Sequence, residues 1–282
     1  SFLLTAAVAT ILYLYKWRGV NRLWLLPPLF VLWVNLHAGY ALGFMVLAAF
    51  LMGEVFNHLV EPMAPADDPV LDWRGIGWVA GVTLISAALL VINPNTTRML
   101  TYYLETVRID VLQDVIQEWR SPDFHPLHTQ PFIWLLLATA AAMGLSRRRV
   151  DGTDLALFGG FGYAALLAGR NIGPFALVAA PILSRHVTSI LSSRPGNRRR
   201  PAHRATPTPL QGALNWGLLL IILALAVVKI VPPLRPAFNE ALQRESLPVE
   251  AAAWVEEHRP AGEMFNHYNW GGYLIWRLWP DY

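Results

Sequence analysis

The sequence contains no cysteine, which excludes disulfide bonds and thiolate metal sites. Charged residues are also scarce, at 15% of the chain, whereas about a quarter is usual for soluble domains. The net charge of +3 is small, and the basic residues are confined to short segments, which argues against nucleic-acid binding. Apolar residues, by contrast, are abundant. Hydrophobic residues make up 55% of the 282 residues, and the mean hydropathy is +0.38. This composition indicates a membrane protein.

The apolar residues are gathered into eight runs, several of which approach the ~20 residues that a bilayer core requires. The runs cover residues 2–15, 23–36, 39–56, 75–92, 131–145, 155–168, 174–191 and 213–231. Shorter runs can be completed by flanking residues or by local thinning of the bilayer. We therefore expect an α-helical integral membrane protein with about eight transmembrane helices, in which residues 1–231 form a polytopic membrane domain.

Basic residues are concentrated on alternate connections between these runs. If the first connection is inside, the inside connections hold twelve Lys and Arg residues and the outside connections hold four. The twelve are Lys16, Arg18, Arg22, Arg74, Arg147, Arg148, Arg149, Arg194, Arg198, Arg199, Arg200 and Arg204, and the four are Arg98, Arg108, Arg120 and Arg170. The positive-inside rule then predicts a basic cytoplasmic linker at 192–212, with the loop 93–130 and the C-terminal segment 232–282 on the extracytoplasmic side.

The segment 23–56 allows two interpretations. Pro27 and Pro28 interrupt its first half, and Asn35-Leu36-His37-Ala38-Gly39 separates its two apolar runs. A tight hairpin with a short outer turn fits the charge alternation. One long kinked helix is the alternative, and it would invert the orientation of everything upstream.

The outer loop has a helical periodicity. Between residues 97 and 119 apolar side chains recur every three to four residues, at Leu100, Leu104, Val107, Val111, Val115 and Trp119. This pattern predicts an amphipathic helix lying along the outer membrane surface.

The segment 232–282 is expected to begin a small extracytoplasmic α/β domain. Residues 248–258 and 273–279 are predicted to be helices, residues 263–265 a strand, and the glycines at 271 and 272 a turn. Asn266, His267 and Trp270 lie beside these glycines and offer the hydrogen bonds and flat apolar faces that sugars require. The sequence begins at Ser1 within an apolar run, which we do not interpret as a signal peptide, and it ends shortly after Pro280, so we expect it to be a fragment.

Few polar groups in the chain suggest chemistry. Asp123 and His125 could form an acid–base pair, although an Asp-capped loop is the simpler alternative. His125 and His128 lack the further ligands that zinc needs, so no metal site is predicted. Arg170 at a tight outer turn is either an anchor to lipid headgroups or a ligand for the phosphate of a lipid carrier.

Ionisable residues inside the runs are scarce. Glu54, with Asn57 and His58, is at the inner end of the third run and is interpreted as interfacial, and Lys229 can snorkel to the surface. A transporter is therefore disfavoured.

Four patches together resemble a group of bacterial polytopic membrane proteins of the glycosyltransferase C superfamily, related to dolichyl-phosphate-mannose-protein mannosyltransferases. They are Asn35-Leu36-His37, Ser121-Pro122-Asp123-Phe124-His125, Arg170-Asn171 and residues 265–276. The resemblance implies a bacterial inner (plasma) membrane protein that takes a sugar from a polyprenyl-phosphate donor at the extracytoplasmic face. Its partners would be the lipid-linked donor and membrane lipids. No cofactor is specified, and a divalent metal is one option.

The resemblance also shapes the candidate site. Members of the superfamily carry their catalytic acids in a first outer loop, and this chain begins after the point where that loop would be. Asp123 and His125 are therefore retained only as catalytic candidates. The substrate-binding candidates are His37, Arg120, Arg170, Asn171, Asn266, His267 and Trp270. Two other functions stay open: a polymerase or ligase of lipid-linked polysaccharide, and a non-catalytic membrane scaffold.

Overall fold

The structure is a computed structural model that describes residues 1–60, 68–107, 109, 116–192 and 209–280. Throughout these residues the regular structure is α-helix and short 3-10 helix, with no β-strand. The chain divides into two compact units, Ser1–Arg198 and Arg199–Tyr282.

The described residues of the first unit form eight α-helices, seven of which coincide with the first seven apolar runs. They are α1 (Phe2–Arg18), α2 (Leu26–Leu36), α3 (Tyr40–Val60), α4 (Trp73–Ala88), α5 (Arg98–Val107), α6 (Gln130–Leu145), α7 (Gly152–Leu167) and α8 (Ile172–Ser192). Short 3-10 helices cover Leu23–Leu25, Leu89–Val91, Gln117–Trp119 and Gly169–Asn171. Helix start signals agree with this division, since Asp72 and Asp151 accept backbone N–H groups at the first turns of α4 and α7.

The predicted hairpin in 23–56 is confirmed, and the long kinked helix is excluded. α2 ends at Leu36, and His37 adopts an extended backbone with φ −166° and ψ 141°. α3 then folds back along α2: the Phe30 and Phe44 ring centroids are 4.3 Å apart. At Gly43 a Cβ atom would lie only 2.7 Å from both Phe30 and Trp33, so the absence of a side chain permits the close approach.

The helices of the first unit alternate in direction and so define two ends. At the Arg170 end, Asn35 donates its side-chain N–H to the Ile92 carbonyl at 2.8 Å, and the Gly169 N–H donates to the Arg120 carbonyl at 3.0 Å. At the Lys16 end, Lys16 contacts Asp151. The described basic residues of the predicted inside connections all belong to the Lys16 end: Lys16, Arg18, Arg22, Arg74, Arg147, Arg148 and Arg149.

The core of this unit lies between α3 and its neighbours. The largest fully buried side chains include Trp33, Phe30, Phe50, Phe161 and Phe175. The backbones of α3 and α7 come very close, since a Cβ atom at Gly53 would lie 2.3 Å from the Thr153 Cα atom. Small residues at such crossings allow helices to pack through van der Waals contact without a side chain between them.

Four helices are long and apolar enough to cross a membrane, by length and composition, among the residues that the structure describes. They are Tyr40–Val60, Trp73–Val91, Gly169–Leu191 and Pro209–Leu234. Large apolar side chains such as Leu32, Leu84 and Trp134 are more than half exposed on the helix surfaces. Apolar surface of this extent is typical of helices that face lipid.

The predicted surface helix is present in its first half. α5 covers Arg98–Val107, and Tyr40 donates its hydroxyl to the Met99 carbonyl beneath it. Residues 108 and 110–115 lie outside the described part of the chain. Gln117–Trp119 forms a 3-10 helix, so the α-helical spacing does not continue to Trp119.

The second unit contains α9 (Pro209–Ile230), α10 (Pro236–Ser246), α11 (Val249–His258) and α12 (Gly271–Leu278), with short 3-10 helices at Pro232–Leu234 and Tyr268–Trp270. α9 matches the eighth apolar run and buries none of its residues. The linker residues 193–208 lie outside the described part. α11 and α12 pack through Ala252, Leu274 and Leu278, and Arg277 makes a two-pronged ion pair with Glu256 at 2.9 and 3.0 Å.

The predicted strand at 263–265 is wrong. These residues have an irregular backbone, and Phe265 is fully exposed. A strand needs a hydrogen-bonding partner, and the described residues of this unit supply none. The C-terminal unit is therefore helical where the structure describes it, not α/β.

Candidate functional site

A cavity of about 370 Å³ opens at the Arg170 end of the first unit. It is bordered by the start of α1, the turn between α2 and α3, α5, and the 3-10 helices Gln117–Trp119 and Gly169–Asn171. Its polar and aromatic lining residues include His37, Tyr102, Glu118, Trp119, Arg170 and Asn171. Phe2, Ala41 and Leu42 add apolar wall. Mixed linings of this kind suit ligands with both a polar head and an apolar portion.

The loop that carries Trp119 is fixed to the turn between α7 and α8. The Gly169 N–H donates to the Arg120 carbonyl at 3.0 Å, and the Ser121 hydroxyl donates to the Leu166 carbonyl at 2.9 Å. The Asn171 side chain donates to the Ala164 carbonyl at 2.9 Å, which closes the C-terminal turn of α7. Three hydrogen bonds thus place Trp119 beside Arg170.

Arg170 is stacked rather than paired. Its guanidinium carbon lies 3.8 Å from the centre of the Trp119 ring. Among the described residues the Arg170 side chain makes no hydrogen bond and no ion pair. A guanidinium stacked on a ring keeps its in-plane N–H donors available for a planar or tetrahedral anion. Arg170 therefore presents unused N–H donors, among the described residues, at the cavity wall.

His37 is held in one orientation by its own turn. Its Nδ1 atom accepts the Gly39 backbone N–H at 2.8 Å and lies 2.9 Å from the Ser1 hydroxyl. In the neutral ring the proton is then on Nε2, which becomes a donor. Gly39 suits this arrangement, because a Cβ atom there would lie 2.9 Å from the imidazole.

The acidic residue of the cavity is Glu118, not Asp123. Glu118 lies in the 3-10 helix Gln117–Trp119 and is exposed to the cavity. Asp123 and His125 do not line the cavity; their side chains pair with each other at 2.6 Å in exposed positions. The backbone and side-chain hydrogen bonds from His125 lower the pKa of Asp123. This pair combines the expected acid–base contact with the expected Asp-capped turn, since Asp123 also accepts the His125 N–H at 3.0 Å.

The predicted substrate-binding residues fall into two groups. His37, Arg170 and Asn171 line one cavity in the first unit, whereas Arg120 contributes its carbonyl to the docking of the loop. Asn266, His267 and Trp270 belong to the second unit. There the His267 and Trp270 rings are 5.6 Å apart, and Asn266 lines a separate cavity of about 360 Å³ beside α12. In the part of the chain that the structure describes, no three His, Asp or Glu side chains form a possible metal site.

Sequence reasoning missed a buried ionic cluster at the Lys16 end. The Lys16 ammonium is fully buried and contacts Glu54, both oxygens of Asp151 at 2.8 and 2.6 Å, and the Thr153 hydroxyl at 3.0 Å. Glu54, which was expected to be interfacial, has a side chain that is fully buried within the protein. Burial alone would raise the pKa of Asp151, but the Lys16 charge and the hydrogen bonds outweigh burial and lower it.

Glu118 and the Lys16 cluster were missed for different reasons. Glu118 had the spacing of a solvated helix position, although its position beside Trp119 and just before Ser121-Pro122 was a usable signal. The members of the cluster are 38 and 135 residues apart in the chain, so no local pattern could join them.

Comparison with known proteins identified no relative: no protein-family model, curated protein or solved structure matches this chain.

Proposed function

We propose that this protein is a membrane-embedded glycosyltransferase-like protein that binds a polyprenyl-phosphate-linked sugar in the cavity at the Arg170 end. The observation that carries this proposal is Arg170 itself: a guanidinium stacked on Trp119, without an anionic partner among the described residues, at the wall of a partly apolar cavity. An anion would pair with this guanidinium, and the hydrocarbon chain of a lipid phosphate would contact the apolar wall of the cavity.

The Arg170 end faces away from the cytoplasm in this proposal. Seven basic residues of the predicted inside connections gather at the opposite end, which is the arrangement that the positive-inside rule favours. All eight apolar runs are helices, and we propose that each crosses the inner membrane of a bacterium. The shorter helices α1, α2, α6 and α7 require local thinning of the bilayer or flanking anchors.

Each polar group in the cavity has a defined part. Arg170 donates to the phosphate oxygens of the donor, and the Nε2–H of His37 donates to phosphate or sugar. Glu118 is the acid closest to this chemistry, and it takes the proton from the acceptor hydroxyl as a general base. Asn266, His267 and Trp270 are proposed as sugar contacts within the second unit. Asp123 and His125 remain candidates for the catalytic role, but Glu118 is preferred because Asp123 and His125 do not line the cavity.

The experiment that tests the phosphate role is binding of a labelled polyprenyl-phosphate sugar to the full chain in lipid nanodiscs. Arg170→Ala removes charge-assisted hydrogen bonds worth about 1.5–3 kcal/mol, so affinity should fall roughly tenfold to a hundredfold. Arg98→Ala is the matched control, because Arg98 is exposed at the start of α5 and does not line the cavity. Equal affinities for wild type and Arg170→Ala would remove the proposed role.

Transfer is tested separately, with the nanodisc-embedded protein and radiolabelled donor. Sugar transfer to an acceptor supports the glycosyltransferase proposal. Binding of the lipid-linked donor without release of its lipid phosphate would instead indicate a scaffold. Joining of lipid-linked glycans to each other would indicate the polymerase or ligase alternative.

A further inference from the structure

The Lys16 end contains a second site that glycosyl transfer does not use and that does not depend on the proposed function. Six ionisable side chains meet there: Lys16 from α1, Glu54 from α3, Asp151 and Asp154 from the start of α7, and Arg185 and His186 from α8. All except Arg185 are at most 4% exposed. The side chain of Arg185 is 18% exposed and lies over the Trp17 ring at 4.4 Å.

Two of the three carboxylates are fully occupied by donors. Glu54 accepts from Lys16 and from the Thr153 hydroxyl with one oxygen, and from the Leu71 backbone N–H at 2.8 Å with the other. Asp151 accepts from Lys16 with both oxygens, and also from the Thr153 N–H at 2.8 Å and the Asn57 amide at 3.2 Å. Donors on both oxygens stabilise the ionised form of each carboxylate.

Asp154 differs from the other two. Its Oδ1 atom accepts from Arg185, whereas its Oδ2 atom faces the Nε2 atom of His186 at 3.9 Å and accepts no hydrogen bond from the described residues. The other ring nitrogen of His186 is engaged by the Ser146 hydroxyl at 2.6 Å. A carboxylate oxygen and an imidazole nitrogen of two buried residues thus face each other at 3.9 Å, which is too long for a hydrogen bond.

The charge of the cluster does not balance. With His186 neutral, three carboxylates face the two cations Lys16 and Arg185, which leaves one negative charge in excess. The other charges that reach the pair do not cancel it, because Arg148 and Asp68 form their own ion pair at 2.7 Å. An uncompensated charge away from water is costly, and uptake of a proton is the usual remedy.

We propose that Asp154 and His186 form a proton-binding site, which takes up one proton as the pH falls from about 8 to about 5 and so neutralises the cluster. The proton occupies the position between Asp154 Oδ2 and His186 Nε2. Neutralisation strengthens the packing of α7 against α8. Loss of the proton leaves the excess negative charge buried between these helices.

Thermal unfolding of the full chain in nanodiscs tests this proposal at both pH values. Asp154→Asn replaces the carboxyl group by a neutral group of the same shape. A group whose pKa is raised on folding contributes stability that is lost as the pH rises. Wild type should therefore lose thermal stability relative to Asp154→Asn between about pH 5 and pH 8. Asp72→Asn is the matched control, because Asn is also a good helix N-cap and position 72 lies outside the cluster; its difference from wild type should not change with pH.

A spectroscopic readout keeps the proposal falsifiable if the variant does not fold. Infrared spectra of the wild-type chain should show a protonated carboxyl group that disappears toward pH 8, or ¹⁵N spectra should show the His186 imidazolium doing so. Either signal supports the site. If neither group changes its protonation between about pH 5 and pH 8, the proposal is overturned.

Discussion

The two ends of the first unit differ in how their cationic side chains are paired. In the cluster at the Lys16 end, the buried Lys16 ammonium contacts Glu54 and Asp151, and the Arg185 guanidinium contacts Asp154. At the Arg170 end, the cavity arginine is stacked on Trp119 and has no carboxylate partner among the described residues. Charges that are satisfied within the chain hold helices together, whereas a cation left without an internal partner is available to a ligand.

The two regions also differ in the elements from which they are built. The Lys16 cluster joins α1, α3, α7 and α8, so its removal should disturb the whole unit. The Arg170 cavity is built largely from turns and short 3-10 helices, which is the usual location for binding groups on a rigid scaffold. Substitutions at the Lys16 end should therefore change stability, and substitutions at the Arg170 end should change binding or turnover.

The largest expected effect comes from Lys16→Met. Methionine keeps much of the volume but leaves Glu54 and Asp151 buried without their cation, which should cost about 3–5 kcal/mol of unfolding free energy. The measurement is unfolding of the nanodisc-embedded chain by heat or denaturant. Lys229→Met is the control, because Lys229 is exposed near the end of α9 and should tolerate the change. Equal melting temperatures would show that the cluster does not stabilise the fold.

The next effect separates the two outer-loop acids. Glu118→Gln should lower sugar transfer by the nanodisc-embedded protein about a hundredfold or more, the usual contribution of a general base. Asp123→Asn should change the rate by no more than about twofold, as exposed substitutions away from a site do. The opposite ranking would move the catalytic role to the Asp123–His125 pair and away from the cavity.

A smaller loss of stability is expected from Gly53→Ala. The added methyl group would collide with the backbone of α7 at Thr153, so the helices must separate at a cost of about 1–3 kcal/mol. Gly81→Ala is its control on α4, where a Cβ atom meets open space and alanine should stabilise the helix by up to about 1 kcal/mol. If both changes stabilise the protein, the close crossing of α3 and α7 is not present.

The smallest effect tests the aromatic support of Arg170. Trp119→Ala removes a cation–π contact worth about 0.5–1 kcal/mol at an accessible site, so donor affinity should fall roughly twofold to fivefold without a change in melting temperature. Trp119→Phe retains a ring and should give an intermediate affinity. Affinity that is the same in all three proteins would mean that the stack does not position Arg170.

Much of the first unit follows from local pattern. Apolar runs between basic connections predicted the helices and the hairpin at His37, because each run must bury its backbone polar groups as a helix in lipid. Alternation of the helices then placed His37, Arg170 and Asn171 at one end, and they line one cavity. The period of three to four residues predicted one α-helix from residue 97 to residue 119. That prediction is wrong at Glu118, where the backbone forms a 3-10 helix.

Other features depend on partners that no local pattern reveals. The stretch Glu263-Met264-Phe265 was predicted to be a strand, but no neighbouring strand is present in the described part of its unit. Lys16, Glu54 and Asp151 each resembled an ordinary residue at the end of a membrane helix. Their burial follows from the crossing of α3 and α7 at Gly53, a close contact that depends on two helices at once.

The hydrogen bond between the Gly169 N–H and the Arg120 carbonyl has an evolutionary consequence. Because it joins main-chain atoms only, this hydrogen bond does not itself require a particular side chain at position 120. Every residue type supplies a carbonyl there, so this one bond can persist in relatives of the protein that lack an arginine at that position.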